Sequence, residues 1–217
     1  MYSFAVTEMV GRRIAALVLA LGAASCATAA VQPGPRVVQP GAPGEASRVV
    51  PAVKPDIPKY TGADVKFMTG MIGHHAQALE MTALLPSRTA GEDMKLLARR
   101  IDVSQADEIK MMQRWLETRG LEVPSVHAHH AAGATLMPGM LTPEDMARLA
   151  EAKGAAFDRL FLDLMIKHHE GALVMVKTLF SEPGAGQDAD IFAFASDVEA
   201  DQSIEIARMR SMLAALK

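Results

Sequence analysis

Two stretches of this chain carry one donor pattern. MIGHHAQALEM spans residues 71–81 and MIKHHEGALVM spans 165–175. Each sets a methionine one turn before a His-His pair and a second methionine shortly after it. Neutral imidazoles and thioethers, without a thiolate, suit a soft monovalent cation, copper(I) first and silver(I) as its analogue. The candidate ligands are Met71, His74, His75 and Met81, then Met165, His168, His169 and Met175. Outside the cytoplasm such a set has a further advantage, because thiolates there oxidise while His and Met stay usable.

The spacing requires helices. At about 100° per residue, Asp64, Phe67, Met68, Met71, His74, His75, Ala78 and Met81 share an arc of roughly 140°, whereas Gly73 and Glu80 lie off it. Met71 precedes His74 and His75 by three and four residues, so its thioether reaches the space of either ring. A second phrase follows each copy, QADEIKMM from Gln105 and QSIEIARM from Gln202. Gln105, Glu108, Gln202 and Glu205 share the apolar stripe of their helices, and the two glutamates are candidate acceptors that fix the histidine tautomers. The order A-B-A-B implies a duplicated helical hairpin.

Four amphipathic helices are predicted, at about 61–85, 90–119, 143–180 and 187–216, making an all-α four-helix bundle. Pro86 and SEPGAG mark the turns within each hairpin. Thr142-Pro143 is a helix start, and Gly154 is expected to break or kink the third helix. Composition agrees: 5% aromatic residues but 15 Met among 217 residues leave a core of Ala, Leu, Ile and Met. A net charge of -3 without a basic stripe excludes nucleic acid as a partner.

The connector between repeats, HAHHAAGATLMPGM, offers a second candidate metal site: His127, His129, His130, Met137 and Met140. Met94, Met111 and Met212 are read as packing residues.

The first 26 residues read as an export signal: Arg12-Arg13, the apolar run IAALVLALGAAS, then Cys26. Met1 and Met9 both serve as candidate starts. Two cleavage readings stand, a lipobox with lipidation of Cys26 and membrane anchoring, or ordinary cleavage at ATA. Residues 27–60, rich in Pro, Gly, Ala and Val, are expected to form a semi-extended tether ahead of a bundle at 61–217, with repeats at about 61–119 and 143–216.

FMTGMIGHHAQALEM, QADEIKMMQRWL, MPGMLTPEDMARL and FDRLFLDLMIKHHEGALVM together resemble the domain-of-unknown-function 305 family of bacterial exported proteins (CopM-like), from about Thr61 to Leu213. The resemblance implies a ferritin-like four-helix bundle, periplasmic copper binding and copper tolerance, with the same eight His and Met residues as ligands. Gly73 departs from the family, where Pro commonly precedes the His pair.

The function expected is therefore that of an exported protein that sequesters or carries copper(I) or silver(I), not an enzyme. Its candidate partners are the metal ion, the membrane through Cys26, and a copper-handling protein. Two alternatives remain at this stage. One is a metal-free scaffold in which the histidines pair with Glu108 and Glu205. The other is a ferritin-like di-metal oxidase, which needs Glu-x-x-His motifs that the sequence lacks.

Overall fold

The computed structural model describes residues 37–50, 60–89, 91–131, 133 and 135–216. The predicted export signal, Cys26 included, lies outside the described residues. The chain divides at Pro55 into two compact units. Within the first, the stretch read as a tether contains a small antiparallel hairpin. β1 (Val37–Gln39) pairs with β2 (Arg48–Val50), Val37 opposite Val50 and Gln39 opposite Arg48. Paired valines flanking a Pro- and Gly-rich turn explain it. Val38 and Val49 are exposed, so the hairpin builds no core.

The second unit is helical: α1 (Gly62–Thr82), α2 (Leu85–Arg88), α3 (Glu92–Glu117), α4 (Pro143–Glu151), α5 (Gly154–Ser181) and α6 (Ala189–Ala215). Helix α1 starts at a capping box in which the Thr61 hydroxyl accepts from the Asp64 amide and Asp64 accepts from the Thr61 amide. The other Asp64 oxygen accepts from the Gly186 amide at 2.7 Å, which ties the α5–α6 turn to the start of α1. Pro86 lies in the first turn of α2 rather than in a loop, a position where its missing N–H costs nothing. The predicted third helix is two helices. Ala152 and Lys153 are extended, and Gly154 opens α5 at φ +58°, a conformation that favours glycine. Thr142 caps α4 through the Asp145 amide, as its sequence predicts.

Helices α1, α3, α5 and α6 form the bundle, with α1 packed on α3 and α5, and α5 on α6. Helices α1 and α5 run antiparallel. Gly70 faces Met175 and His74 packs against His168, so rising numbers on one meet falling numbers on the other. The apolar core falls into two clusters. One holds Met71 and Met175 with Phe67, Met112 and Phe194; the other holds Met81 and Met165 with Leu97, Phe161 and Met209. Each fully buried apolar side chain contributes about 1.5–3 kcal/mol of burial. Met94 belongs to the second cluster, and Met111 and Met212 pack at the edges of the two, as packing residues should.

Candidate metal centre

All four helical histidines, His74, His75, His168 and His169, are fully buried. In each pair the two rings stand 6.3 Å apart, because neighbours on a helix diverge by about 100°. The second histidine of each pair turns to the flanking helix. His75 Nε2 donates to Glu108 Oε2 at 2.5 Å, and His169 Nε2 donates to Glu205 Oε2 at 2.7 Å. The first histidine of each pair turns to the α1–α5 seam. There the His74 and His168 rings lie 3.8 Å apart at their centroids. His74 Nε2 donates to the Pro138 carbonyl at 3.0 Å, whereas His168 has no hydrogen-bond partner at either nitrogen.

These bonds fix the tautomers. A carbonyl or carboxylate only accepts, so Nε2 carries the proton in neutral His74, His75 and His169. The Nδ1 atoms of all three are buried and unpartnered. Orphaned nitrogens at such depth are rare in folded proteins and call for a ligand or a physical cost. Gln105 and Gln202, one turn before Glu108 and Glu205, are buried too; neither amide atom of Gln105 has a partner, nor does Gln202 Oε1.

Electrostatics keeps the seam neutral. Burial, aided by the charge of His75 and His169 and only partly offset by the Pro138 carbonyl, holds the His74 imidazole down at about 3. Burial and the other three histidines, against a weaker opposing pull from the His74 backbone, push His168 well below its ordinary value. Burial pushes Glu108 up, but the hydrogen bond and charge of His75, with the Ser104 hydroxyl, outweigh it and leave the carboxyl below its usual range. The seam thus presents neutral imidazoles, the protonation state that binds metal.

Met71 and Met175 lie in the apolar cluster on one side, and Met81 and Met165 in the cluster on the other. All four are buried. The first histidines of the two pairs thus meet at the seam, one methionine pair lies in each apolar cluster, and the histidines do not form a closed cage. Among the described residues, the only group of three or more His, Cys, Asp or Glu whose ligand atoms all lie within 4.8 Å of one another is Glu80, His127 and His130.

The connector divides its predicted donors. Its methionines turn inward: Met140 is buried, and Met137 Sδ sits 3.1 Å from where a side chain on Gly70 would begin. Its histidines turn to the outer face of α1 and surround Glu80. His130 Nε2 lies 2.8 Å from Glu80 Oε1, and His127 Nδ1 and His129 Nε2 each lie 3.4 Å from it. Glu80 was outside the predicted site, because helical phase places it off the buried stripe; only its outward position beside a His-rich connector hinted at a partner.

Two more residues escaped sequence reading. Gln77 donates to the Leu141 carbonyl and accepts from the Leu141 amide, at 3.0 and 2.7 Å. Its repeat counterpart is Gly171, where a Cβ would stand 2.0 Å from the Pro138 oxygen. One repeat thus grips the connector with an amide, and the other makes room for it by having no side chain. Helical periodicity carries no sign of either.

The fold and seam define a class: a four-helix bundle of duplicated hairpins with buried His and Met at the meeting of its halves. The sequence profile described as domain of unknown function (DUF305) matches residues 64–213, and the chain belongs to that family. A candidate secreted DUF305 protein from Streptomyces coelicolor superposes at TM-score 0.60 with 31% identity, over 71% of this chain and 93% of that one. CopM in its Cu(I)-bound form superposes at TM-score 0.56 with 26% identity, over 72% of this chain and 98% of that one; it is also solved with Cu(II) and with silver. A curated relative, uncharacterized protein L153 of Acanthamoeba polyphaga mimivirus, is 37% identical over 59 residues, 27% of this chain and 39% of the relative's length.

Proposed function

We propose that this protein is an exported, non-enzymatic metal carrier that holds copper(I) or silver(I) at the α1–α5 seam. The observation that carries the reading is His168, fully buried, packed against the His74 ring and without a hydrogen-bond partner at either ring nitrogen. An apolar residue there would cost the bundle less, unless the nitrogen binds something. His74 and His168 are the central donors, and Met71, Met175, Met81 and Met165 supply thioethers from the two sides. Glu108 and Glu205 hold His75 and His169 in one tautomer. The likeness to CopM, solved with copper and silver, supports metal binding in this family. Export rests on the Arg12-Arg13 leader of the sequence, and lipidation of Cys26 would add a membrane anchor.

A metal-free scaffold is the second reading, favoured by the His75–Glu108 and His169–Glu205 pairs, which satisfy one nitrogen each. It gives no reason for His168. Metal analysis of untagged protein purified under reducing conditions separates the two: retained copper or silver supports the carrier, and metal-free protein that also fails to take up Cu(I) supports the scaffold.

A further inference from the structure

The Glu80 cluster lies outside the seam and has different chemistry. It is exposed at His127 and His130, while His129 is buried to 6% exposure of its side chain. No thioether belongs to it, since Met137 and Met140 turn inward. Two imidazole nitrogens and one carboxylate oxygen, with a third imidazole beside them, form a donor set for a borderline divalent ion, not for a soft monovalent one.

The bonding of His129 is the informative feature. Its Nδ1 donates to the Val126 carbonyl at 3.1 Å, so the neutral ring leaves a lone pair on Nε2. That Nε2 is buried, has no hydrogen-bond partner and stands 3.4 Å from Glu80 Oε1. A lone pair 3.4 Å from a carboxylate oxygen is repulsive unless a proton or a metal cation lies between them. The backbone carbonyl on the other nitrogen is the partner that metal-bound histidines commonly have. Spacing agrees as well. Ligand atoms on a tetrahedral ion with bonds of roughly 2.0–2.1 Å lie about 3.4 Å apart; one ligand atom each from Glu80, His127 and His130 lie within 4.8 Å of one another, and His129 Nε2, outside that group, stands 3.4 Å from the same oxygen.

We propose that Glu80, His127 and His130, with His129 beside them, form a second metal site that takes a divalent cation of the zinc(II) or copper(II) class and staples the connector to α1. The turn Ala128–His130 is a single 3-10 turn held to α1 by the His130–Glu80 hydrogen bond at 2.8 Å, and a shared ion would add further bonds to that one. The staple lies just outside the seam: a side chain on Gly73, the residue before His74, would begin 3.9 Å from His129 Nδ1. This site is independent of the copper(I) reading, and either can fail alone.

The test is a calorimetric zinc(II) titration of the untagged full chain, with cobalt(II) absorption as a report of tetrahedral nitrogen and oxygen ligation. Wild-type protein is expected to bind one zinc(II) at this site. Glu80→Gln and the double variant His127→Ala/His130→Ala are each expected to weaken it at least tenfold, and the seam variant His74→Ala/His168→Ala to leave it unchanged. The altered connector side chains are exposed, so these variants keep the bundle, which circular dichroism checks. The proposal is overturned if wild-type protein shows no saturable zinc(II) binding, meaning that a proton alone bridges His129 and Glu80. It is equally overturned if the double connector variant binds as wild type does, or if the seam variant abolishes binding.

Discussion

Replacing His168 by Leu should stabilise the metal-free protein, whereas the same change at its neighbour His169 should destabilise it. Both side chains are fully buried on α5, so burial alone predicts equal effects. Their partners differ. His168 leaves two nitrogens without hydrogen bonds, and each buried, unpaired polar atom costs about 1–3 kcal/mol. Leucine is close to imidazole in size and adds apolar contact with the surrounding core, so a net gain of about 1–3 kcal/mol is expected after imperfect repacking. At roughly 2–4 °C per kcal/mol for a unit of this size, the melting temperature should rise by about 2–12 °C. His169→Leu instead strands the Glu205 carboxylate, whose side chain is 10% exposed. Leaving a buried carboxylate without its hydrogen-bond donor costs about 1–3 kcal/mol or more. The assay is thermal and urea unfolding of both variants with a copper chelator present. If His168→Leu destabilises as much as His169→Leu, the histidine is satisfied in the apo protein and the reasoning fails.

Other consequences are open to similar tests. Gly171→Ala ordinarily gains up to about 1 kcal/mol in a helix interior; here the new Cβ meets the Pro138 oxygen at 2.0 Å, so a loss of about 1–3 kcal/mol and faster hydrogen exchange at the Leu141 amide are expected. Gly73→Ala, whose Cβ finds nothing nearer than 3.9 Å, should be neutral or stabilising by denaturant titration. Because His74 stays neutral in the fold down to about 3 while its unfolded form protonates near 6.5, the unfolded chain binds more protons between those values. Stability should therefore fall with pH across that window by about 1.4 kcal/mol per pH unit, with His168 adding to the same loss, as urea midpoints from pH 7 to pH 4 would reveal.

Much of this was legible before any coordinates. Helical phase put Asp64, Met71, His74, His75, Ala78 and Met81 on one face, and all are buried. The duplicated Gln-x-x-Glu phrase placed Glu108 and Glu205 opposite histidines, and both bond to one. What escaped depends on tertiary approach rather than on period. Phase separates His74 from His75 but does not say which one faces the other repeat. Nor does it say that a loop carbonyl, Pro138 O, covers one histidine and leaves its counterpart bare. The connector was read as one mixed His/Met cluster, yet backbone contact at Gly171 and the Gln77 clamp send its methionines in and its histidines out. The hairpin at 37–50 was hidden by Pro- and Gly-rich composition, which marks turns and tethers alike.

The central claim is that the seam between the two repeats grips a soft monovalent cation. Its most direct measurement is an anaerobic Cu(I) titration against a chromophoric chelator, comparing wild-type protein with His74→Ala/His168→Ala. The account predicts that wild-type protein withdraws Cu(I) from the chelator and that the double variant, still helical, loses most of that competition. A double variant that competes as well as wild type would contradict it.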